Sequence, residues 1–172
     1  IRPLNYRHGG AIDAYGSAYT LDILQERFAY VFEPYSVPRP QFWRPCLTAR
    51  PIEGSFSVGS LEIQSFQQEH GRMPSLGFRF GPFAYSTDAK SIPEEAFELL
   101  QGIDTWIVDS LGDTPHPTHS HLEQTLDWIE RVKPRRAILT HLSHRVDYAE
   151  LSARLPAGVE PGFDGMVIDI PE

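Results

Sequence analysis

Two short apolar segments, each followed by a polar cluster that contains histidine, lie within the stretch from Thr105 to His144. The segments 106–108 and 137–139 are typical of buried strands, and an amphipathic helical pattern separates them. Five of the seven histidines of the chain lie in this stretch, at positions 116, 119, 121, 141 and 144. Loops that follow such strands form the rim where binding and catalytic residues concentrate. The stretch therefore predicts alternating strands and helices with a functional site at their edge.

Strand-type and helix-type patterns alternate along the whole chain. We therefore predict an α/β or α+β fold with a mixed sheet, in a single domain over residues 1–172. The predicted strands cover residues 11–16, 46–49, 56–58, 61–66 (running into 67–70), 76–80, 83–86, 106–108, 137–139 and 166–170. The predicted helices cover residues 17–27, a segment from residue 92, residues 120–132 and residues 148–154, and the proline-rich segment 33–45 is predicted to be an extended loop.

Local signals indicate where individual helices begin. Residues 1–4 contain no helix start, whereas Ser17 has the residue type of an N-cap. Ser120 followed by Glu123 forms the pattern of a capping box, so a helix is expected to begin there.

The chain is acidic, with 23 aspartate and glutamate residues against 15 lysine and arginine residues and a net charge of −8. This balance argues against a general binder of nucleic acid backbones, which present negative charge. The single cysteine, Cys46, excludes an internal disulfide and suits a reducing cytoplasm. No apolar run approaches the roughly 20 residues of a membrane helix, and no signal peptide opens the chain. We therefore expect a cytoplasmic protein that contacts no membrane.

Four polar residues are candidates for the site because each directly follows a strand pattern or precedes a helix: His70, Asp88, His119 and His141. Imidazole and carboxylate groups are suitable ligands for zinc or manganese. Each residue also has a simpler interpretation. His70 fits a turn, Asp88 a helix cap, and His119 a loop. His141 is harder to dismiss, because burying it without a partner after an apolar strand would be costly.

Five short motifs together resemble those of the metallo-β-lactamase-fold hydrolases. The resemblance is to the branch that contains the phosphoribosyl cyclic phosphodiesterase of the carbon–phosphorus lyase pathway and the tRNA 3′-processing nucleases. The motifs are Gln-Glu-His-Gly at 68–71, Phe-Ala-Tyr-Ser-Thr-Asp at 83–88, His-Pro-Thr-His at 116–119, Ile-Leu-Thr-His-Leu-Ser-His at 138–144 and Phe-Asp-Gly-Met at 163–166. The resemblance implies a four-layer αββα sandwich with the site at one edge.

The resemblance also implies roles for individual residues. His70 would bind a first divalent metal ion, Asp88 would bridge two ions, and His141 would bind the second, each ion being zinc or manganese. His119 would be the catalytic histidine that protonates the leaving group, and Asp109 would orient it. His144 is either a substrate-binding residue or a loop residue, and both interpretations stay open.

The first metal motif of that family, His-x-His-x-Asp-His, does not occur in this sequence. In the family it lies just upstream of a segment like Arg2-Pro3-Leu4, so this chain is expected to be the part of the domain that follows it. The function expected is a metal-dependent hydrolase, a phosphodiesterase that attacks a small cyclic phosphate or nucleotide-like ester with a metal-bound hydroxide. The alternative is a catalytically incomplete remnant that acts as a scaffold or binding module. The expected partners are a small phosphate-ester substrate and, as an open alternative, a second copy of the chain.

Overall fold

The computed structural model describes residues 1–34 and 44–170, which form two compact units, residues 1–53 and residues 54–172. The single domain expected from sequence stays a prediction, and each unit is described by itself. Most of the loop predicted for residues 33–45 lies outside the described residues.

The first unit consists of α1 (Arg2–His8), β1 (Ile12–Gly16), α2 (Ala18–Arg27), α3 (Ala29–Phe32) and β2 (Leu47–Pro51). The two strands pair in parallel. Helix α1 contradicts the expectation that no helix begins in residues 1–4. Pro3 lies in its first turn, where the missing N–H costs no hydrogen bond and the fixed φ suits a helix. The N-cap predicted at Ser17 is confirmed, because its hydroxyl accepts a hydrogen bond from the Thr20 backbone N–H at 3.1 Å.

A buried carboxamide joins α1 to the residue directly before β2. Asn5 is fully buried, and its Nδ2 donates to the carbonyl oxygen of Cys46 at 2.7 Å. The backbone N–H of Cys46 donates in return to Asn5 Oδ1 at 3.1 Å. This reciprocal pair satisfies polar groups that would otherwise be costly to bury.

The second unit contains a seven-stranded mixed sheet, in the order β3-β4-β5-β6-β7-β8-β9. Neighbouring strands from β3 to β6 pair antiparallel, and those from β6 to β9 pair parallel. The strands are β3 (Ser55–Val58), β4 (Leu61–His70), β5 (Met73–Phe80), β6 (Phe83–Ser86), β7 (Thr105–Asp109), β8 (Arg136–Thr140) and β9 (Val159–Pro161). The helices are α4 (Glu94–Leu100), α5 (Leu122–Val132) and α6 (Tyr148–Arg154). In the described ranges no helix has the length and apolar character to cross a bilayer.

The main hydrophobic core lies on one face of this sheet. Trp106 and Val108 of β7 lie beside Ala137 and Leu139 of β8 in the parallel register, so all four side chains share a face. The apolar stripes of α4 and α5 belong to the same buried cluster, through Ala96, Phe97, Leu100, Trp128, Ile129 and Val132. The 3.6-residue periodicity of these helices and the alternation in the strands thus bury a common apolar layer.

The strand predicted over residues 166–170 is wrong. Those residues contain no strand, and the Val167 side chain is 84% exposed. The last strand is β9, which pairs with β8 through only three residues and ends at Pro161. A segment this short gives no alternation that could be recognised in sequence, whereas residues 166–170 alternate without pairing as a strand.

A close contact in the sheet gives the first prediction. Gly77 of β5 lies opposite Phe66 of β4, and a Cβ at Gly77 would lie 2.2 Å and 2.3 Å from two Phe66 ring carbons. We expect Gly77→Ala to lower the free energy of unfolding by about 1–3 kcal/mol, the usual cost of overpacking. Gly112→Ala is the control, because its Cβ would make only ordinary contacts, the nearest at 3.7 Å. Urea unfolding measures both variants, and equal stability would contradict the contact.

Candidate active site

The site lies at the edge of the sheet where four parallel strands end. β4 and β6 are both antiparallel to β5, so β4, β6, β7 and β8 point the same way. His70 is the last residue of β4, Asp88 follows β6 by two residues, Asp109 ends β7, and His141 directly follows β8. Ligands in open α/β sheets commonly bind outside the carboxyl ends of strands. The convergence expected from the sequence is therefore present.

Two imidazoles approach one carboxylate oxygen. Asp88 Oδ1 lies 3.2 Å from His141 Nε2 and 3.7 Å from His70 Nε2. All three side chains are partly exposed, so the cluster is open to solvent. Each contributes an atom type that binds divalent cations.

The orientation of the His70 ring is set by a backbone carbonyl. His70 Nδ1 lies 2.8 Å from the carbonyl oxygen of Thr118, which can only accept, so Nδ1 donates and Nε2 is the nitrogen that faces Asp88. Metal-binding histidines typically use their second nitrogen in this way. Gly71 permits the approach of the two loops, because its φ is +65° and a Cβ there would lie 2.6 Å from Thr118 Cγ2. The sequence did not reveal the role of Thr118, since a backbone acceptor leaves no residue-type signal.

His119 lies close to both other histidine rings and is held by a buried carboxylate. Its ring centroid is 4.7 Å from that of His70 and 4.4 Å from that of His141. His119 Nδ1 lies 3.1 Å from Oδ2 of Asp109, which is fully buried. The same oxygen accepts a hydrogen bond from the Ala89 N–H at 2.9 Å. Because this carboxylate oxygen accepts both bonds, His119 carries a proton on Nδ1. Its Nε2 is then the nitrogen that can exchange a proton or bind a cation.

Hydroxyl groups fix the end of β7 that carries Asp109. Ser120 Oγ and Thr125 Oγ1 each donate to the Asp109 carbonyl oxygen at 2.7 Å. The capping box predicted at Ser120 and Glu123 is therefore wrong. The helix begins after His121, which makes no side-chain cap hydrogen bond, and the Ser120 hydroxyl serves the strand instead. The sequence pattern could not distinguish a cap from a buried donor to a distant backbone group.

Two site residues have left-handed backbones, with φ of +53° at Asp88 and +62° at His141. Such a backbone is uncommon outside glycine and persists where surrounding contacts hold it. At Asp88 the contacts are visible, because Ser75 Oγ donates to the Asp88 carbonyl at 2.7 Å. Gln68 Nε2 donates to the Thr87 carbonyl at 3.1 Å and to Ser75 Oγ at 3.2 Å. Gln68 and Ser75 were missed in the sequence, although a glutamine on the apolar side of a strand was an available signal.

The donor set fits a divalent cation. One donor atom from each of His70, Asp88 and His119 lies within 4.8 Å of the others. His141 Nε2 faces the same Asp88 oxygen. Because His119 Nδ1 is engaged by Asp109, Nε2 is the nitrogen of this ring that remains to bind a cation or to carry a proton. The sequence assigned it only the second role.

The remaining histidines occupy different positions. His116 and His144 line a cavity beside the cluster, and the His116 ring is 5.3 Å from that of His119. His116 is thus close to the site. His121 caps α5 through its backbone and lies outside the cluster. Arg79 of β5 lies elsewhere and donates to the carbonyls of Leu99 and Gln101.

Solved structures of other proteins share this architecture. A diphosphatase of the PhnP family is 30% identical with a TM-score of 0.84, and the match covers 96% of this chain and 62% of that one. The short form of human tRNase Z is 20% identical with a TM-score of 0.63, covering 94% of this chain and 69% of that one. Zinc-bound PqqB from Methylobacterium extorquens is 14% identical with a TM-score of 0.65, covering 97% and 65%. The last two likenesses show the fold alone.

A curated relative is also similar over most of this chain. The octanoyltransferase of Porphyromonas gingivalis (strain ATCC BAA-308 / W83) is 31% identical over 160 residues. The match covers 92% of this chain and 32% of the relative, so the chain spans about a third of that protein.

The family model described as a β-lactamase superfamily domain matches residues 1–142. This match spans most of the chain and agrees with the strong structural likeness to the PhnP-family diphosphatase. The predicted fold class is confirmed: an α/β metallo-β-lactamase fold with a mixed sheet. The chain belongs to the β-lactamase superfamily.

Proposed function

We propose that this chain carries part of the site of a metal-dependent phosphodiesterase that hydrolyses a small cyclic phosphate or nucleotide-like ester. The main support for the proposal is that a cluster of metal-binding residue types and a histidine held by a buried carboxylate lie together at one edge of the sheet. His70 and His141 face the Asp88 carboxylate, and His119, fixed by a buried Asp109, lies close to both of their rings. The likeness to a PhnP-family diphosphatase supports chemistry at phosphorus.

In this proposal His70, Asp88 and His141 hold the metal. Two divalent ions, zinc or manganese, would in the complete site lower the pKa of a water molecule toward neutrality and stabilise negative charge on the phosphate. Asp88 has two oxygens, so it is the one residue of the three that can serve two ions. The Thr118 carbonyl and the hydrogen bonds at Asp88 keep these side chains in place before any ligand binds.

The His119 side chain supplies the proton that the leaving oxygen needs. Its Nδ1 is committed to Asp109, so the proton that moves is the one on Nε2. The buried carboxylate fixes the tautomer and stabilises the positive charge of the ring before transfer. Asp109 is therefore a positioning residue, and His119 is the proposed catalytic acid.

Metal content tests the proposal directly. After incubation with zinc or manganese and gel filtration, we expect about one or more ions per chain, measured by elemental analysis. In a protein that carries the complete site, we also expect metal-dependent release of nitrophenolate from bis(4-nitrophenyl) phosphate. His8→Ala is the control, because this exposed histidine belongs to the first unit and is not one of the proposed metal or catalytic residues. Failure to retain metal at any supplement would overturn the enzyme proposal and favour the scaffold or binding module.

A further inference from the structure

A buried glutamine occupies a core position of β4. Gln68 is 1% exposed and lies two residues from both Phe66 and His70, so the three side chains share one face of the strand. Phe66 belongs to the hydrophobic core, and His70 belongs to the histidine cluster of the site. Among the described residues no hydrogen bond reaches Gln68 Oε1, although this atom is buried. A buried polar atom without a partner lowers stability, so packing alone does not account for a glutamine at this position.

The neighbouring strand leaves space for the Gln68 carboxamide. A Cβ at Gly77 of β5 would lie 2.7 Å from Gln68 Oε1, so a larger residue there would displace the carboxamide as well as the Phe66 ring. Glycine inside a strand weakens the strand and often marks such a close approach. A glutamine in the core and a glycine in the adjacent strand are both unfavourable for stability, and both are needed to place the same amide group.

The Gln68 amide nitrogen acts on the peptide groups on both sides of Asp88. Nε2 donates to the Thr87 carbonyl oxygen at 3.1 Å, which belongs to the peptide before Asp88. It also donates to Ser75 Oγ at 3.2 Å. Ser75 Oγ in turn donates to the Asp88 carbonyl oxygen at 2.7 Å, in the peptide after Asp88. Because a hydroxyl group has a single proton, the bond that Ser75 accepts from Gln68 leaves that proton for Asp88.

The two peptide groups determine the backbone torsions of Asp88 and therefore the direction of its carboxylate. The φ of Asp88 is +53°, in the left-handed region that residues other than glycine seldom adopt. The Ala89 N–H, which donates to Asp109 Oδ2 at 2.9 Å, restrains the peptide after Asp88 from the opposite side. Held in this way, the carboxylate faces His70 and His141 before any ligand arrives. A group that is already ordered loses less conformational entropy when it binds.

We propose that Gln68 is a positioning residue of the metal site. Through the Thr87 carbonyl and the Ser75 hydroxyl, it holds Asp88 in the left-handed conformation and thereby raises the affinity of the site for a divalent cation. The inference rests on the proposed function, in which Asp88 is a metal ligand. Gln68 acts through the backbone of Asp88 and is not itself a ligand.

Zinc affinity tests the proposal. Gln68→Met keeps the length of the side chain without the donor, and Ser75→Ala removes the hydroxyl. For each variant we expect the zinc Kd, measured by competition with a chromophoric chelator, to be about tenfold weaker than that of the wild type. The double variant should lose little more than either single variant, because both residues act on the same backbone. Ser75→Thr, which keeps the hydroxyl, should retain the wild-type affinity.

Ser86→Ala is the matched control for the loss of a hydroxyl. Ser86 is fully buried on β6, two residues before Asp88, and its hydroxyl accepts a hydrogen bond from the Trp106 indole N–H at 3.0 Å. Its removal should leave the zinc affinity unchanged. An equal loss of affinity in this control would overturn the proposal, as would wild-type affinity in folded Gln68→Met and Ser75→Ala.

A measurement on the metal-free protein separates this inference from the proposed function. The amide and α protons of a left-handed residue lie closer together than in a helix or strand, so Asp88 of the wild type should give a strong NOE between them. This NOE should weaken in Gln68→Met and Ser75→Ala and persist in Ser86→Ala. A wild type that retains no zinc would refute the proposed function, whereas the NOE comparison would still support or overturn the role of Gln68. An unchanged NOE in the folded variants would overturn it, and Ser75→Ala decides the question if Gln68→Met does not fold.

Discussion

Replacing His119 with alanine is expected to lower the turnover of a phosphodiester by about 10²- to 10⁴-fold while leaving the metal content unchanged. The reason is the position of its ring, 4.4 Å from that of His141, and the hydrogen bond of its Nδ1 to Asp109. The loss should be largest for esters with a basic leaving oxygen, which departs poorly without a proton. The loss of turnover should be smaller for nitrophenyl esters, because nitrophenolate departs with little need for a proton. Steady-state kinetics with phosphodiesters of a series of substituted phenols measures how the loss depends on the basicity of the leaving oxygen.

The competing role for His119 is that of a ligand, because one of its donor atoms lies within 4.8 Å of donors from His70 and Asp88. In that case His119→Ala would lose metal, and its activity would fall equally for all leaving groups. Asp109→Asn is the companion variant, since it keeps the shape of the buried side chain but removes its charge. We expect it to preserve metal content and to reduce turnover with the same dependence on the leaving group.

Replacing Asp88 is expected to abolish stable metal binding. The carboxylate is the group that both His70 and His141 face, so its removal leaves two imidazoles without the charged partner between them. We expect metal affinity to fall by at least about 100-fold. Mutation of residues that only hydrogen-bond to metal ligands already lowers metal affinity by about 10- to 100-fold. Equilibrium competition with a chromophoric chelator measures the change.

Asp88→Asn is the informative form of this variant. Alanine would strain the left-handed backbone at this position, whereas asparagine tolerates it and keeps the shape of the side chain. Loss of metal in Asp88→Asn with unchanged thermal unfolding would assign the effect to the carboxylate charge. Full retention of metal in this folded variant would refute the bridging role.

The elements that build the site were predictable where the sequence alternates or repeats over several residues. The strands before Asp88, Asp109 and His141 show such patterns, and polar residues directly after them indicated a common edge. Helix α6 was predicted over the same residues that it occupies. These patterns report burial on one face, which local sequence determines well.

The features that escaped prediction depend on contacts between distant residues. The Ser120 hydroxyl bonds the Asp109 carbonyl, and the Thr118 carbonyl orients His70. Neither partner is marked by its residue type. The left-handed torsion at Asp88 is likewise held by a hydrogen bond from a distant residue, Ser75. The short helix α1 was missed because Pro3 was not recognised as a helix-starting residue.

The donor atoms come from strand ends that are remote in sequence and meet only when the register of the sheet is complete. An unfolded chain cannot reproduce this arrangement, so a cation held here binds the native state preferentially. By thermodynamic linkage, added cation should raise the unfolding midpoint as its concentration exceeds the dissociation constant, and a chelator should reverse the gain. The bound ion would thus stabilise the arrangement of the strand ends. The unfolding midpoint would then measure how much of the protein has cation bound, even without a known substrate.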